Sequence, residues 1–323
     1  MFRRKIRLPV VYIALLALLL PAYFVLFKID ASITGLTSTT LPDAFNRTRN
    51  QTYPVVLISY ADGPQVFYKN QNALNFSATD KGFKRIYNYH RSDIDEEFYQ
   101  KNKHILQQKM GAGYWLWKPY FILKTMKELP DGALIVYADS GLIFKKPIEA
   151  IVNHMADQNI LVLTHGRSTP LRKHLKKEAY KAFDFPLTDS ILDSENIWGF
   201  FIVLRNNAKT RAFIQRWLEI CQKAEAISDT PLAPGIQDPI FEYHQHDQSL
   251  LSPLVAQFPD CIKMVRRNEL RKKFGVYNFH RHSEQEFTSP LWIQAGMPNF
   301  ISKFLWNNYL FQSIRKYFLK DKE

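Results

Sequence analysis

The sequence predicts an α/β domain: a mixed, mostly parallel sheet flanked by helices, set behind an N-terminal transmembrane helix. Three observations predict it. From Tyr53 onward, short apolar runs closed by turn signals alternate with stretches of helical period. The first 27 residues are a basic cluster followed by an uncharged apolar run. Between the two lies a polar, threonine-rich stretch with no period at all.

Residues 1–7 carry Arg3, Arg4, Lys5 and Arg7, a cytoplasmic tail by the positive-inside rule. Leu8 to Phe27 holds no charge, and twenty residues rise about 30 Å as a helix, enough to span a bilayer. That length exceeds the apolar core of most cleaved signal peptides, so residues 8–27 are read as a signal anchor. The chain beyond is expected to be exported: into the Golgi or ER lumen in a eukaryote, to the periplasmic side of the inner membrane in a bacterium. Residues 28–52 read as a stem, and 53–323 as the globular domain.

Within that domain "YPVVLISYA" is a strand closed by Asp62-Gly63-Pro64, followed by a helix to about Asn75. "FKRIYNYH" is a second strand. "DIDEEFYQKNKHILQQK" places acids early and lysines late, as a helix dipole favours. Pro119 suits the first turn of a helix ending near Leu129, before Pro130-Asp131-Gly132. "ALIVYA" is a buried strand with Asp139 at its carboxyl end. "NILVLTH" and "WGFFIVLRN" are further strands, and "IKMV" is the last candidate. "AKTRAFIQRWLEICQKAEA" is an amphipathic helix with Phe213, Trp217 and Ile220 on one face, and "HDQSLLSPLVAQF" starts another. The tail "FISKFLWNNYLFQSIRKYFLKDKE" is aromatic and basic, and suits either a docking helix or a membrane surface.

The formal charge is +13, from 43 basic and 30 acidic residues, which favours anionic partners. Nucleic acid is not expected among them, because no zinc-finger spacing, RNP-like box or basic heptad occurs. The basic run Arg266–Lys273 reads as a solvated face, with diphosphate or lipid headgroups as the alternative. Cys221 and Cys261 fit a disulfide and two buried thiols equally well. Sequons at Asn46, Asn50 and Asn75 fit a lumenal face.

In open α/β sheets ligands bind beyond the carboxyl ends of the strands, where Asp139 is expected. A carboxylate there can hold a divalent cation that clamps a diphosphate, and Gly141 lets backbone approach a ligand. The chain order of anchor, stem, βα units, "GYWLWKP" (Gly113–Pro119), "VYADSG" (Val136–Gly141), "WGFFIVLRN" and "HDQSLL" resembles the GT-A glycosyltransferases, and in particular a type-II-anchored group. The resemblance covers roughly Tyr53 to His282 and implies a GT-A-like, Rossmann-like fold. It also implies transfer of a sugar from a nucleotide-sugar, with UDP favoured, to a hydroxyl of a glycan, glycolipid or glycoprotein. It implies Mn²⁺ or Mg²⁺ at an Asp-x-Asp motif. The second acid is missing from the triplet Asp139-Ser140-Gly141; the resemblance implies Asp139 and a late histidine, His280 or His282, as metal ligands, with surface or loop histidines as the alternative.

By the same resemblance Tyr114, Trp115 and Trp117 offer flat faces to a base or sugar, and Lys118 offers a charge to phosphate. A core role for the tryptophans, with Lys118 reaching to solvent, is the alternative. Trp198 and Gly199 line the acceptor side, with Phe201 and Val203 in the core. Asp247, with Gln248 beside it, contacts hydroxyls or acts as base, or else caps its helix. Asp139 and Asp247 are thus the catalytic candidates, and Asp62 is expected to touch the nucleotide. A membrane-tethered carbohydrate- or nucleotide-sugar-binding protein without catalysis is the alternative function.

Overall fold

A seven-stranded sheet organises the computed structural model, which describes residues 38–40, 53–79, 81–229, 232–233 and 235–278. The expected anchor (8–27), most of the stem, the sequons at Asn46 and Asn50, His280, His282 and the basic tail lie outside the described residues. Among the described residues no helix is long and apolar enough to cross a membrane.

In chain order the strands are β1 (Ser38–Thr40), β2 (Val55–Tyr60), β3 (Arg85–Tyr89), β4 (Leu134–Ala138), β5 (Leu142–Phe144), β6 (Ile160–Thr164), β7 (Ile197–Arg205), β8 (Ile262–Arg266) and β9 (Val276–Asn278). The main sheet has the order β1-β3-β2-β4-β7-β6-β8, and β5 pairs with β9 in a separate ribbon. Strands β2, β3, β4, β6 and β8 run one way, and β1 and β7 run against them. The mixed, mostly parallel sheet is therefore the expected one. Three residues of the stretch read as stem, Ser38–Thr40, pair antiparallel with β3 at the sheet edge.

Six helices cover the sheet: α1 (Gln65–Ala78), α2 (Glu96–Leu106), α3 (Trp117–Glu128), α4 (Glu149–Met155), α5 (Ala208–Cys221) and α6 (His246–Gln257). The period of two in each strand sends alternate residues to opposite faces. In β2, Val56, Ile58 and Tyr60 join a core with Phe121, Ile122, Trp217 and Leu254 from α3, α5 and α6. Val55 and Leu57 face the other way, onto Leu74 of α1, Ile151 of α4 and Phe144 of β5.

Two neighbouring asparagines, buried Asn206 and half-buried Asn207, fasten the layers. Asn206 Nδ2 donates to the carbonyls of Met126 and Leu129, both at 2.9 Å, so the carbonyls that end α3 are satisfied. Asn207 caps α5 by accepting from Thr210 N at 2.9 Å. The helix predicted over 208–226 stops at Cys221, and a separate turn, Ala224–Ile227, follows it. Cys221 is buried, Cys261 is exposed and both are free thiols, so no disulfide joins them. Asn75 is buried inside α1, and its sequon serine is locked: Ser77 Oγ donates to Leu74 O at 2.7 Å and accepts from Phe144 N at 3.0 Å.

Candidate active site

Asp62 and Asp139 follow the carboxyl ends of neighbouring parallel strands, β2 and β4. Three groups hold Asp62. Gly63 N donates to Oδ1 at 2.8 Å, while Tyr60 hydroxyl at 3.1 Å and Arg91 Nε at 2.7 Å donate to Oδ2. Arg91 in turn donates to Leu106 O at 2.9 Å, so Asp62 ties the end of β2 to α2. Asp139 is half-buried, and Oδ1 accepts a hydrogen bond from the Tyr137 hydroxyl. Burial and the Asp139 charge push the Tyr137 phenol far above its ordinary value, so it stays a donor. The chain turns sharply after Asp139, with Leu142 N donating to Asp139 O at 3.0 Å, and Ser140 and Gly141 are buried in that turn.

Behind the strand ends lies a buried ion pair. Lys118 Nζ is 2.7 Å from Asp247 Oδ2, and each side chain is 4% exposed. Desolvation would lower Lys118, but Asp247, with Asp139 beyond it, holds the ammonium above its ordinary value. Burial raises the Asp247 pKa above its ordinary value, with Lys118 pulling against it. Lys118 therefore does not reach to solvent. Nor does Asp247 cap α6: the cap position is Gln245, and no side-chain cap bond forms.

The aromatic stretch before Lys118 has a backbone reason. Gly111, Ala112, Gly113, Tyr114 and Trp115 all have positive φ, a full left-handed turn. L-residues resist that region by about 1–2 kcal/mol each, so contacts must hold the turn. Trp117 Nε1 donates to Gly111 O at 2.9 Å. Tyr114 and Trp115 pack on His246 with ring centroids 5.0 and 5.3 Å apart, and His246 itself has φ +51. Trp117 is 6% exposed and stacks on Tyr60 at 4.1 Å, so its ring serves the core rather than an open base-binding face. Trp217 Nε1 donates to Asp247 O at 3.0 Å. Both members of the ion pair thus follow strained backbone clamped by aromatic rings.

The third wall is a break in β7. Pairing with β6 jumps from Val162↔Ile202 to Leu163↔Trp198, which leaves Gly199, Phe200 and Phe201 without β6 partners. A β-carbon on Gly199 would lie 3.2 Å from both Asp247 Oδ2 and Lys118 Nζ. Gln248 Oε1 accepts from Gly199 N at 2.9 Å and fixes the bulge to α6. Trp198 is half-buried and stacks on His165 at 3.5 Å. Desolvation, with help from His174 and Arg267, lowers the His165 pKa to about 4, so the ring is neutral. Phe201 and Val203 are core, as expected.

The structure gathers Asp139, Lys118, Asp247, Gly199 and Gln248, and sets Trp198 at the edge. Asp62 is on the neighbouring strand end and Tyr114 supports from behind. Tyr137, Arg91 and His165 escaped the sequence reading. Among the described residues no three His, Cys, Asp or Glu side chains gather as a metal site. The described residues therefore do not by themselves build a cation cage.

Several solved glycosyltransferases are similar at low identity. Mouse xyloside xylosyltransferase 1 has 9% identity and a TM-score of 0.38, over 66% of this chain and 84% of its own. The galactosyltransferase LgtC, solved with donor and acceptor sugar analogs, has 10% identity and a TM-score of 0.37, over 75% and 84%. A glycosyltransferase involved in glycosylating the major capsid of PBCV-1 has 9% identity and a TM-score of 0.37, over 72% and 98%. No curated protein matches the sequence. The assignment rests instead on a family profile that matches residues 53–286, well over half the chain and all of the site just described: the chain belongs to the galactosyl transferase GMA12/MNN10 family and is a nucleotide-sugar glycosyltransferase.

Proposed function

We propose that the enzyme takes a UDP-sugar and passes its sugar to a hydroxyl of a glycan, glycolipid or glycoprotein, from a domain exported behind the anchor at residues 8–27. The observation that carries the site is the meeting of Asp139 at the end of β4 with the Lys118–Asp247 pair, 2.7 Å between its charged atoms, packed close against Gly199. In the transfer, the acceptor oxygen bonds to the anomeric carbon as the bond from that carbon to the diphosphate oxygen breaks. The electron pair leaves with the nucleoside diphosphate, and the hydroxyl proton passes to a base.

Asp247 is the proposed base. Burial raises its pKa, which strengthens it as a proton acceptor, with Lys118 pulling against that rise. Gly199 lets the β7 backbone lie close against the pair, where a β-carbon would crowd both charged atoms. Asp139, oriented by Tyr137, faces the donor, with Trp198 and Gln248 on the acceptor side. The anchor and export are supported by the charge-free run and its basic flank.

The test uses the full-length chain with a panel of nucleotide-sugars, reading slow release of free nucleotide with and without Mn²⁺. Release of UDP from one UDP-sugar, lost in Asp139→Ala and in Asp247→Asn, is the expected result. Release from GDP- or CMP-sugars alone refutes the donor. Full activity in Asp247→Asn refutes the base. Extraction of the chain from membranes by alkaline carbonate refutes the anchor.

A further inference from the structure

The structure divides the basic run Arg266–Lys273. Its one acid, Glu269, pairs with Lys273 at 3.3 Å. Lys146 Nζ donates to the carbonyls of Lys272 and Lys273 at 3.3 and 3.0 Å. Arg267 and Arg271 are four residues apart in one helical turn, hence on the same face. Neither has a carboxylate partner among the described residues. Both wall a cavity of about 390 Å³, shared with Asn268 and with apolar Leu142, Phe200 and Val276. That volume lies in the range of small-molecule sites. Arg267 also lies 5.7 Å over the Trp198 ring.

The cavity borders the active site through the backbone. Phe200 O accepts from Asp139 N at 2.9 Å, and Leu142 N donates to Asp139 O at 3.0 Å. The transfer releases a nucleoside diphosphate, whose growing negative charge needs fixed positive charge close by. Lys118 does not supply it freely, because Asp247 already neutralises it at 2.7 Å. Among the described residues no carboxylate neutralises Arg267 or Arg271, and two like charges four apart on a helix repel unless an anion lies between them. Their planar forks match phosphate oxygens.

We infer that this cavity is a diphosphate site, in which Arg267 and Arg271 hold the phosphate oxygens of the nucleotide-sugar. The inference deepens the donor reading above and rests on it.

Calorimetric titration of the full-length chain in EDTA tests it, with inorganic pyrophosphate, UDP and uridine as probes. The proteins are wild type, Arg267→Gln, Arg271→Gln, the double variant and, as control, the exposed Lys272→Gln. Each arginine variant should lose about tenfold or more in affinity for pyrophosphate and UDP, the effect of removing one charged hydrogen-bonding group. Uridine binding should be unchanged, which also shows that the variants are folded. Unchanged pyrophosphate and UDP affinity in the double variant overturns the inference. So does an equal loss in Lys272→Gln, which would mark a diffuse basic field rather than a built site. If wild type turns over a UDP-sugar while the variants bind UDP normally, the inference fails and the donor reading stands. If arginine-dependent pyrophosphate binding appears but no nucleotide-sugar binds, the cavity stands and the donor reading fails.

Discussion

Replacing Lys118 with methionine probes the centre of the site. Methionine keeps most of the side-chain volume and removes the charge. Asp247 is then a carboxylate with a 4% exposed side chain that has lost its counter-ion at 2.7 Å. Breaking a buried pair from one side costs about 3–5 kcal/mol. Set against a total stability of about 5–15 kcal/mol, the variant should fold but be marginal. The cost should depend on pH. Burial already raises Asp247, and Lys118 is the main group pulling it down. Without Lys118 its folded pKa rises further above the unfolded value. A group raised in this way favours the folded state below its folded pKa and loses that contribution as pH rises through it. The gap in urea midpoint between Lys118→Met and wild type should therefore narrow from about pH 8 down to about pH 5. The double variant Lys118→Met/Asp247→Leu removes both charges and should recover most of the stability while remaining inactive. A single variant within about 1 kcal/mol of wild type at the higher pH would refute the reasoning, since only a solvated pair is worth so little. A double variant as unstable as the single would show that volume, not charge, sets the cost.

Other outcomes follow from separate parts of the molecule. Gly113→Ala forces a β-carbon to 2.7 Å from Leu106 Cα at φ +104, and should lower stability by about 2 kcal/mol or more, read as a drop in melting temperature. A thiol reagent should label Cys261 in the native protein and Cys221 only after unfolding, because Cys221 is buried and its pKa is pushed well above its ordinary value. Burial lowers His244 to about 3 and His165 to about 4. Both bind a proton more readily unfolded than folded, so stability should fall as pH drops below about 6.5, and His244→Asn should flatten that fall in urea titrations. Asn75 should carry no glycan in folded protein from a eukaryotic host, since it is 6% exposed within α1; mass spectrometry of its tryptic peptide checks this.

The layers of the fold were legible because they rest on periodicity. The apolar runs of β2, β4, β6 and β7 and the stripe on α5 belong to a core, and a core requires that pattern wherever its partners come from. Strands β5 and β9 are three residues each, too short for any period to register. The position of Asp139 at the end of β4 was legible from the buried run before it, but Asp139-Ser140-Gly141 alone reads as a turn, and only the resemblance gave it a site role. Lys118 was legible only in part: the sequence offered it a phosphate or a route to solvent. Its actual partner, Asp247, is 129 residues away, and no local signal reports a contact at that separation. The break in β7 was hidden for the same reason. It is a mismatch between two strands, so neither strand's own sequence displays it.

The left-handed turn shows why the aromatic stretch takes the form it does. Ala112, Tyr114, Trp115 and His246 occupy a region that L-residues avoid at about 1–2 kcal/mol each. Packing must offset that strain, and the rings of Tyr114 and Trp115 on His246 provide it. The same contact joins the two segments that deliver the buried charges, because Lys118 follows the turn and Asp247 follows His246. A surface lysine and a helix-capping aspartate would need no such arrangement. Drawing both charges into the interior, within 2.7 Å of each other, requires each backbone to be fixed before its side chain loses water. The aromatics therefore serve position first: they hold in place the two segments that bring the buried charges together.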